Sequence, residues 1–226
     1  MVDERRRAQR AADRRTAAWR LTALLQVVLV GALVLTLVRG EWDVTLPIVG
    51  AIAVTLLPWA LHRLGVAVPP GWQLVLATFA TGALLLGSAA GWYSRFWWWD
   101  VVLHTASGAL LAVVGFVVLF ALSRTSAQDA RDHPWFVALF GFMTGVTSGV
   151  LWEFAEWAAD SLVTRLDLEA GRSYTDTMQD LLVDTLGAGL AAVLALVHLR
   201  TGRTNWIGRA VAAFLRHNPH LSPADG

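Results

Sequence analysis

Long apolar runs separated by short polar segments make up most of this chain, and their length carries the strongest structural signal. A helix needs about 20 mainly apolar residues to cross the hydrocarbon layer of a bilayer. Six runs approach or exceed that length, at residues 21–38, 44–61, 72–90, 99–122, 135–157 and 180–199. The pattern therefore predicts an all-α, polytopic membrane protein with six transmembrane helices.

Polar and amphipathic segments flank the six runs. Residues 1–20 are rich in arginine and alanine, and residues 200–226 place apolar side chains at helical spacing opposite Arg209 and Arg216. Both segments are predicted to form cytoplasmic surface helices. The domain organisation is thus an Arg-rich segment at 1–20, a membrane domain at 21–199 and an amphipathic segment at 200–226. The basic N-terminal segment is better explained by attraction to anionic lipid than by nucleic-acid binding, so no nucleic-acid partner is expected.

The distribution of arginine predicts the orientation. The chain has 18 basic side chains, all of them arginine, and 14 fall in segments on the same side as the N-terminus. The other side holds only Arg39, Arg95, Arg165 and Arg172. Because cytoplasmic loops carry an excess of basic residues, both termini are predicted to be cytoplasmic.

Composition excludes several kinds of chemistry. Hydrophobic residues make up 56% of the chain and charged residues only 15%, which is typical of an integral membrane protein. The absence of cysteine excludes disulfides, thiolate metal sites and cysteine nucleophiles. The absence of lysine excludes Schiff-base chemistry. Any reactive site must therefore use carboxylates, imidazoles, hydroxyls or arginine.

Acidic residues interrupt three of the predicted spans, all at the end facing away from the termini. They are Asp100, followed by His104; Glu153, Glu156 and Asp160; and Asp176, Asp180 and Asp184. A charge within a bilayer costs several kcal/mol on insertion scales, so this concentration calls for a functional explanation. The same helical faces continue with small residues, which mark close helix packing: Ser107, Gly108 and Gly115; Gly141, Gly145 and Gly149; Gly187, Ala188 and Ala191. The acids are therefore predicted to point into the helix bundle.

A divalent cation would relieve the repulsion among these carboxylates. The predicted ligands are His104, Glu153, Glu156 and Asp180, with Asp100, Asp176 or Asp184 supporting them or acting as the catalytic base. Carboxylates with one imidazole suit Mg²⁺, Mn²⁺, Ca²⁺, Zn²⁺ or iron, and the ligand set does not choose among them. Two alternatives stay open at this point: a proton relay or ion pathway, and a hydrogen-bonded network that only holds the helices together.

One connection is longer than the others. The predicted outer loop at residues 160–179 contains Arg165, Asp167, Glu169, Arg172 and Tyr174. Loops of this length in compact proteins are often lids or binding segments.

These motifs resemble those of the YjdF-like family of bacterial inner-membrane proteins and, more distantly, of the VanZ-like family. The resemblance rests on Asp-x-x-x-His at Asp100 and His104, Glu-x-x-Glu-Trp beginning at Glu153, and Asp-x-x-x-Asp at Asp176 and Asp180. In the VanZ-like pattern, Asn usually stands at the position of Asp184, and Gln often stands at the position of Glu156. The extra negative charge here favours a bound cation. The resemblance implies a location in the bacterial inner membrane and a shared polar site.

Together these observations predict an acidic, divalent-metal-binding site near the extracytoplasmic face. It would bind or act on an envelope lipid or lipid-linked headgroup, and as an enzyme it would be a metal-dependent hydrolase or transferase. Membrane lipid is the expected partner. The alternatives are a proton- or cation-coupled transporter and a non-enzymatic membrane scaffold. Spans four to six become apolar or small inward of the acids, which counts against a pathway through the membrane.

Overall fold

The structure of this protein is a computed structural model that describes residues 2–123, 127–162 and 174–221. The chain divides into two compact units, Met1–Trp92 and Tyr93–Gly226. Six helices are long and apolar enough to cross a membrane, and the described residues contain no β-strand. The all-α fold and the six predicted spans are confirmed.

The first unit consists of three long helices. They are α1 (Val2–Arg39), α2 (Trp42–Arg63) and α3 (Pro70–Ala80), the last of which continues as a π-helix at Thr81–Ala89. Gly40 and Gly65 follow α1 and α2 with positive φ angles, which glycine adopts at little cost. Leu29, Ala51 and Ala80 form the centre of the core of this unit.

The predicted N-terminal surface helix is not a separate element. Residues 2–20 continue into the first span as the single helix α1, because nothing in the sequence between them breaks a helix. The domain boundaries drawn at residues 20 and 200 stay predictions, as does the cytoplasmic location of the two termini.

The second unit is built on three long helices. The short helix α4 (Trp92–Arg95) precedes α5 (Trp97–Ser123), α6 (Ala127–Asp132) and α7 (Pro134–Leu162). The remaining elements are α8 (Tyr174–Thr201), α9 (Trp206–His217) and a 3₁₀ turn at Pro219–Leu221. Helices α5, α7 and α8 pack pairwise against one another, and α9 packs against α5 and α8.

Glycines allow α5, α7 and α8 to touch along their backbones. A Cβ atom at Gly108 of α5 would overlap the carbonyl oxygen of Asp184 in α8, and one at Gly187 would overlap that of Thr105. A Cβ atom at Gly145 of α7 would lie 2.7 Å from the carbonyl oxygen of Gly108. The small residues predicted to mark packing faces therefore form the contacts between all three helices.

We expect Gly187→Ala to lower the free energy of unfolding by about 1–3 kcal/mol, because its methyl group would meet a backbone carbonyl that cannot rotate away. Gly189→Ala, on the same helix, is the matched control, since its Cβ would have only an ordinary contact with Phe142 at 3.8 Å. Alanine also favours helix formation over glycine, so the control should be neutral or slightly stabilising. Denaturation of both variants in detergent measures the difference, and equal stability would contradict the packing described here.

Candidate metal centre

His104 lies at the centre of the acidic cluster. Asp100 stands in the first turn of α5, and His104 follows it by four residues, so both side chains share one face of the helix. His104 Nε2 lies 3.4 Å from Asp100 Oδ1. His104 is buried, whereas the Asp100 side chain keeps 20% of its surface exposed. Asp100 therefore lies on the more open side of the cluster.

Asp184 of α8 contacts the other nitrogen of the same ring. His104 Nδ1 lies 3.1 Å from Asp184 Oδ2. A carboxylate can only accept a hydrogen bond, so Nδ1 must carry the hydrogen and donate it to Asp184. In a neutral imidazole Nε2 would then keep its lone pair on the side of Asp100, where a cation between the two groups would make the contact favourable. This arrangement of carboxylate and imidazole is the one that orients histidine ligands in many metal sites.

Ser107 adds a further contact to Asp184. Its hydroxyl lies 2.6 Å from Asp184 Oδ1 and 2.8 Å from the carbonyl oxygen of His104. One hydroxyl hydrogen can serve only one of these acceptors at a time, and the shorter distance to a carboxylate favours Asp184. The sequence pattern indicated only a packing role for Ser107. Its position three residues after His104, on the same face, was the signal for a polar role.

Asp180 completes a group of three metal-ligand candidates. It lies one helical turn before Asp184 on α8 and is fully buried. Ligand atoms of Asp100, His104 and Asp180 all lie within 4.8 Å of one another. The 3.4 Å between His104 Nε2 and Asp100 Oδ1 matches two ligand atoms about 2.1 Å from a tetrahedral ion. Asp100, His104 and Asp180 could therefore hold a divalent cation.

Gly149 lets α7 approach this cluster. A Cβ atom at Gly149 would lie 2.6 Å from Asp184 Oδ2. The contacts of Gly145 with Ala188 and of Gly149 with Asp184 show that α7 and α8 run antiparallel. One turn farther along, Glu153 of α7 is therefore level with Asp180 of α8.

The other predicted ligands and the predicted base Asp176 are not part of this group. Among the described residues, neither Glu153 nor Glu156 belongs to the group whose ligand atoms lie within 4.8 Å of one another. Glu153 is buried, whereas Glu156 and Asp176 are half-buried. The roles assigned to these three residues, as ligands or as the base, stay predictions. Most of the predicted outer loop, including Arg165 and Arg172, lies outside the described residues.

The cluster is closed on the side toward the opposite membrane face. Directly below His104 and Asp184, the three helices meet through Gly108, Gly145 and Ala188. The next layers contain Ala112 and Ala191, both fully buried, and then Phe116, whose ring packs against Gly141. In the described part of this unit, no acidic side chain continues the cluster through these layers.

Comparison with known proteins identifies relatives of this chain. A protein of Thermotoga maritima, described as uncharacterized, is 29% identical over 143 residues, which cover 63% of this chain and 70% of that protein. No solved structure matches the chain. Residues 17–201 match a family described as predicted membrane proteins, DUF2238, and this match includes the six apolar runs predicted from the sequence and every residue of the candidate metal centre. The chain therefore belongs to the DUF2238 family of predicted membrane proteins.

Proposed function

We propose that the second unit binds a divalent metal through Asp100, His104 Nε2 and Asp180 and acts on the headgroup of an envelope lipid or lipid-linked molecule. The main support for this proposal is that the two nitrogens of the His104 imidazole face different carboxylates. Asp100 of α5 lies beside Nε2, Asp184 of α8 lies beside Nδ1, and Asp180 of α8 brings a third carboxylate to the group. A network that served only to join helices would not need this third carboxylate.

The depth of the cluster supports a headgroup substrate. Asp184 precedes Arg200 by 16 residues of continuous helix, which corresponds to about 24 Å along α8. The hydrocarbon layer is about 30 Å thick. With Arg200 at one membrane surface, the metal centre lies a few ångströms inside the other, where lipid headgroups meet the acyl chains. Asp100, whose side chain is 20% exposed, lies at the same end of the bundle.

Different residues would take different parts in the proposed reaction. A bound divalent ion would polarise a phosphoryl or acyl oxygen and activate an attacking water. Asp184 would orient the imidazole, and the antiparallel register supports Glu153, predicted from the sequence as a ligand, as a neighbour of Asp180 that could serve instead as the general base. The reaction class is hydrolysis or group transfer at a lipid headgroup.

The sidedness of the site follows from the arginine distribution. Most arginines lie in segments predicted on the membrane side opposite the acids. This excess supports an extracytoplasmic metal centre and cytoplasmic termini in an inner membrane. The resemblance of the motifs to those of YjdF-like and VanZ-like proteins also supports a role in the cell envelope.

The closed packing beneath the cluster counts against a transporter. Proton and ion pathways need a chain of polar groups across the membrane. Below His104 the helices instead touch through glycine and alanine, and the ring of Phe116 fills the space beside Gly141. A site that opens toward one side favours binding or catalysis.

Reconstituted protein tests the proposed reaction. We expect liposomes containing the full chain to release headgroups from a phospholipid or a polyprenyl phosphate in the presence of one divalent ion, measured by mass spectrometry. Asp180→Asn should reduce this release by at least about a hundredfold, because a charged ligand is lost. Asp43→Asn, at an exposed acid of the first unit, should not change the rate. Equal rates in wild type and Asp180→Asn would exclude the proposed catalytic site.

A further inference from the structure

Helix α9 buries its apolar face against the protein, which leaves little of that face for the membrane. Ile207 and Phe214, seven residues apart, are 2% and 7% exposed, and the helix packs against α5 and α8. An amphipathic helix of this kind usually inserts its apolar face between lipids. Here that face is already covered by the ends of two membrane-spanning helices.

Both ends of α9 are fixed in place. The side chain of Asn205 accepts a hydrogen bond from the Gly208 N–H at 3.1 Å and donates one to the carbonyl oxygen of Leu194 at 2.6 Å. Gly208 lies directly against the ring of His198, where a Cβ atom would overlap it. Asn218, at the other end, is fully buried and donates to the carbonyl oxygen of Phe214 at 2.9 Å. The helix is therefore a fixed part of the second unit.

The opposite face of α9 is basic. Arg209 and Arg216 are seven residues apart, so they point in nearly the same direction about 10 Å from each other along the axis. Arg203 precedes the helix, and all three side chains are exposed. Residues 198–221 contain four arginines and no acidic residue, and in the described part of the chain none of these four forms an ion pair with a carboxylate. We call Arg200, Arg203, Arg209 and Arg216 the arginine face.

We propose that the arginine face binds the phosphates of anionic phospholipids in the membrane leaflet opposite the metal centre. Its position supports this occupant, since α8 carries Arg200 about 24 Å from Asp184, at the depth of the far headgroup layer. The guanidinium of Arg200 lies over the ring of Trp135 at 4.8 Å, and Trp206 is partly exposed beside Arg209. Tryptophan with arginine is the usual composition of a protein surface at lipid headgroups.

Charge complementarity favours anionic phospholipids over water as neighbours of the arginine face. Each arginine held near an anionic membrane surface gains favourable electrostatic energy, and the gain accumulates over several fixed arginines. Because the helix is already docked, binding requires no folding of α9 and no insertion of its apolar residues. The interaction should therefore be electrostatic and weaken as salt is added.

The experiment compares lipid retention by the full-length protein. Purified protein is equilibrated with an equimolar mixture of phosphatidylglycerol and phosphatidylcholine, and native mass spectrometry counts the bound lipids. We expect wild type to prefer phosphatidylglycerol by about tenfold at low salt, since three or four arginines contribute. The triple variant Arg203→Gln, Arg209→Gln and Arg216→Gln should lose this preference, and the corresponding triple lysine variant should keep most of it.

A second triple variant controls for net charge. Arg14→Gln, Arg15→Gln and Arg20→Gln removes three exposed arginines from α1, whose own attraction for anionic lipid does not involve the arginine face, so this variant should lose less of the preference for phosphatidylglycerol than the α9 variant does. Inorganic phosphate at millimolar concentration should not displace the lipid, and displacement would show an anion site that does not require a lipid. Equal phosphatidylglycerol preference in wild type and the α9 variant, or equal loss in both triple variants, would overturn the proposal. None of these outcomes depends on whether the protein binds a metal.

Discussion

Removal of divalent ions is expected to lower the thermal stability of the wild-type protein, and His104→Ala should abolish that dependence. Without a cation, Asp100, Asp180 and Asp184 would repel one another around a single imidazole in a low-dielectric interior. An ion present at one hundred times its dissociation constant stabilises the folded state by about 2.7 kcal/mol. His104→Ala removes the only imidazole of the group, so adding the ion should then give less than a tenth of that stabilisation.

Melting curves in detergent with chelator, and then with individual divalent ions, measure this effect. His133→Ala is the matched control, because His133 is exposed and lies in the same unit. Elemental analysis of protein purified without chelator should find one ion per chain in wild type and in the control. If chelator leaves the melting temperature unchanged and no metal is found, the metal hypothesis fails and a proton-sharing network becomes the better interpretation.

Replacement of Asp184 is expected to weaken metal binding although Asp184 is not proposed as a ligand. Its Oδ2 lies 3.1 Å from His104 Nδ1, and by accepting from that nitrogen it would leave the lone pair of Nε2 for the ion. Loss of such a supporting carboxylate commonly reduces metal affinity by about 10–100-fold. Asp184→Ala should fall in that range. Asp184→Asn should lose less, because its amide oxygen can still accept from Nδ1.

Calorimetric titration of the metal into wild type and the two variants gives the affinities. Ser107→Ala should lower affinity by only a few-fold, since it removes one neutral donor to Asp184. Ring ¹⁵N spectra of histidine-labelled, metal-loaded protein identify which nitrogen keeps its hydrogen, with the His104 signals assigned by a His104→Gln variant. A hydrogen on Nε2, or an affinity series in which Asp184→Ala matches wild type, would refute the orienting role.

The sequence was sufficient to predict the six membrane spans, but it did not predict which acids contact His104. Apolar length predicted all six helices, and small residues predicted which faces of α5, α7 and α8 meet. The sharing of a face by Asp100 and His104 also followed from a spacing of four residues. Whether His104 meets Asp180, Asp184 or Glu153 depends on how far one helix is shifted along another. That shift is set by backbone contacts such as Gly108 against Asp184, which no periodicity within one helix reports.

The positions at which helices begin and end were also predicted inaccurately. The last span was predicted to begin at residue 180, but α8 begins at Tyr174. Polar residues such as Asp176 end an apolar run without ending a helix, because an acidic side chain in the first turn interacts favourably with the helix dipole. The π-helix at Thr81–Ala89 was also missed. Its hydrogen bonds, spaced by five residues, leave no distinct pattern in an apolar sequence.

The direct contact between backbones at Gly108 and Gly187 has a consequence for the size of the ion. Side chains in an ordinary core can rotate to enlarge a cavity, but two peptide backbones in contact cannot approach further or reshape. Asp180 and Asp184 are therefore held on a helix whose distance from His104 is fixed. Mg²⁺ and Zn²⁺ accept ligands at about 2.0–2.2 Å, whereas Ca²⁺ takes more ligands at about 2.3–2.6 Å and prefers flexible surroundings. We therefore expect the proposed centre to favour Mg²⁺ or Zn²⁺ over Ca²⁺, even though the carboxylates themselves would accept either.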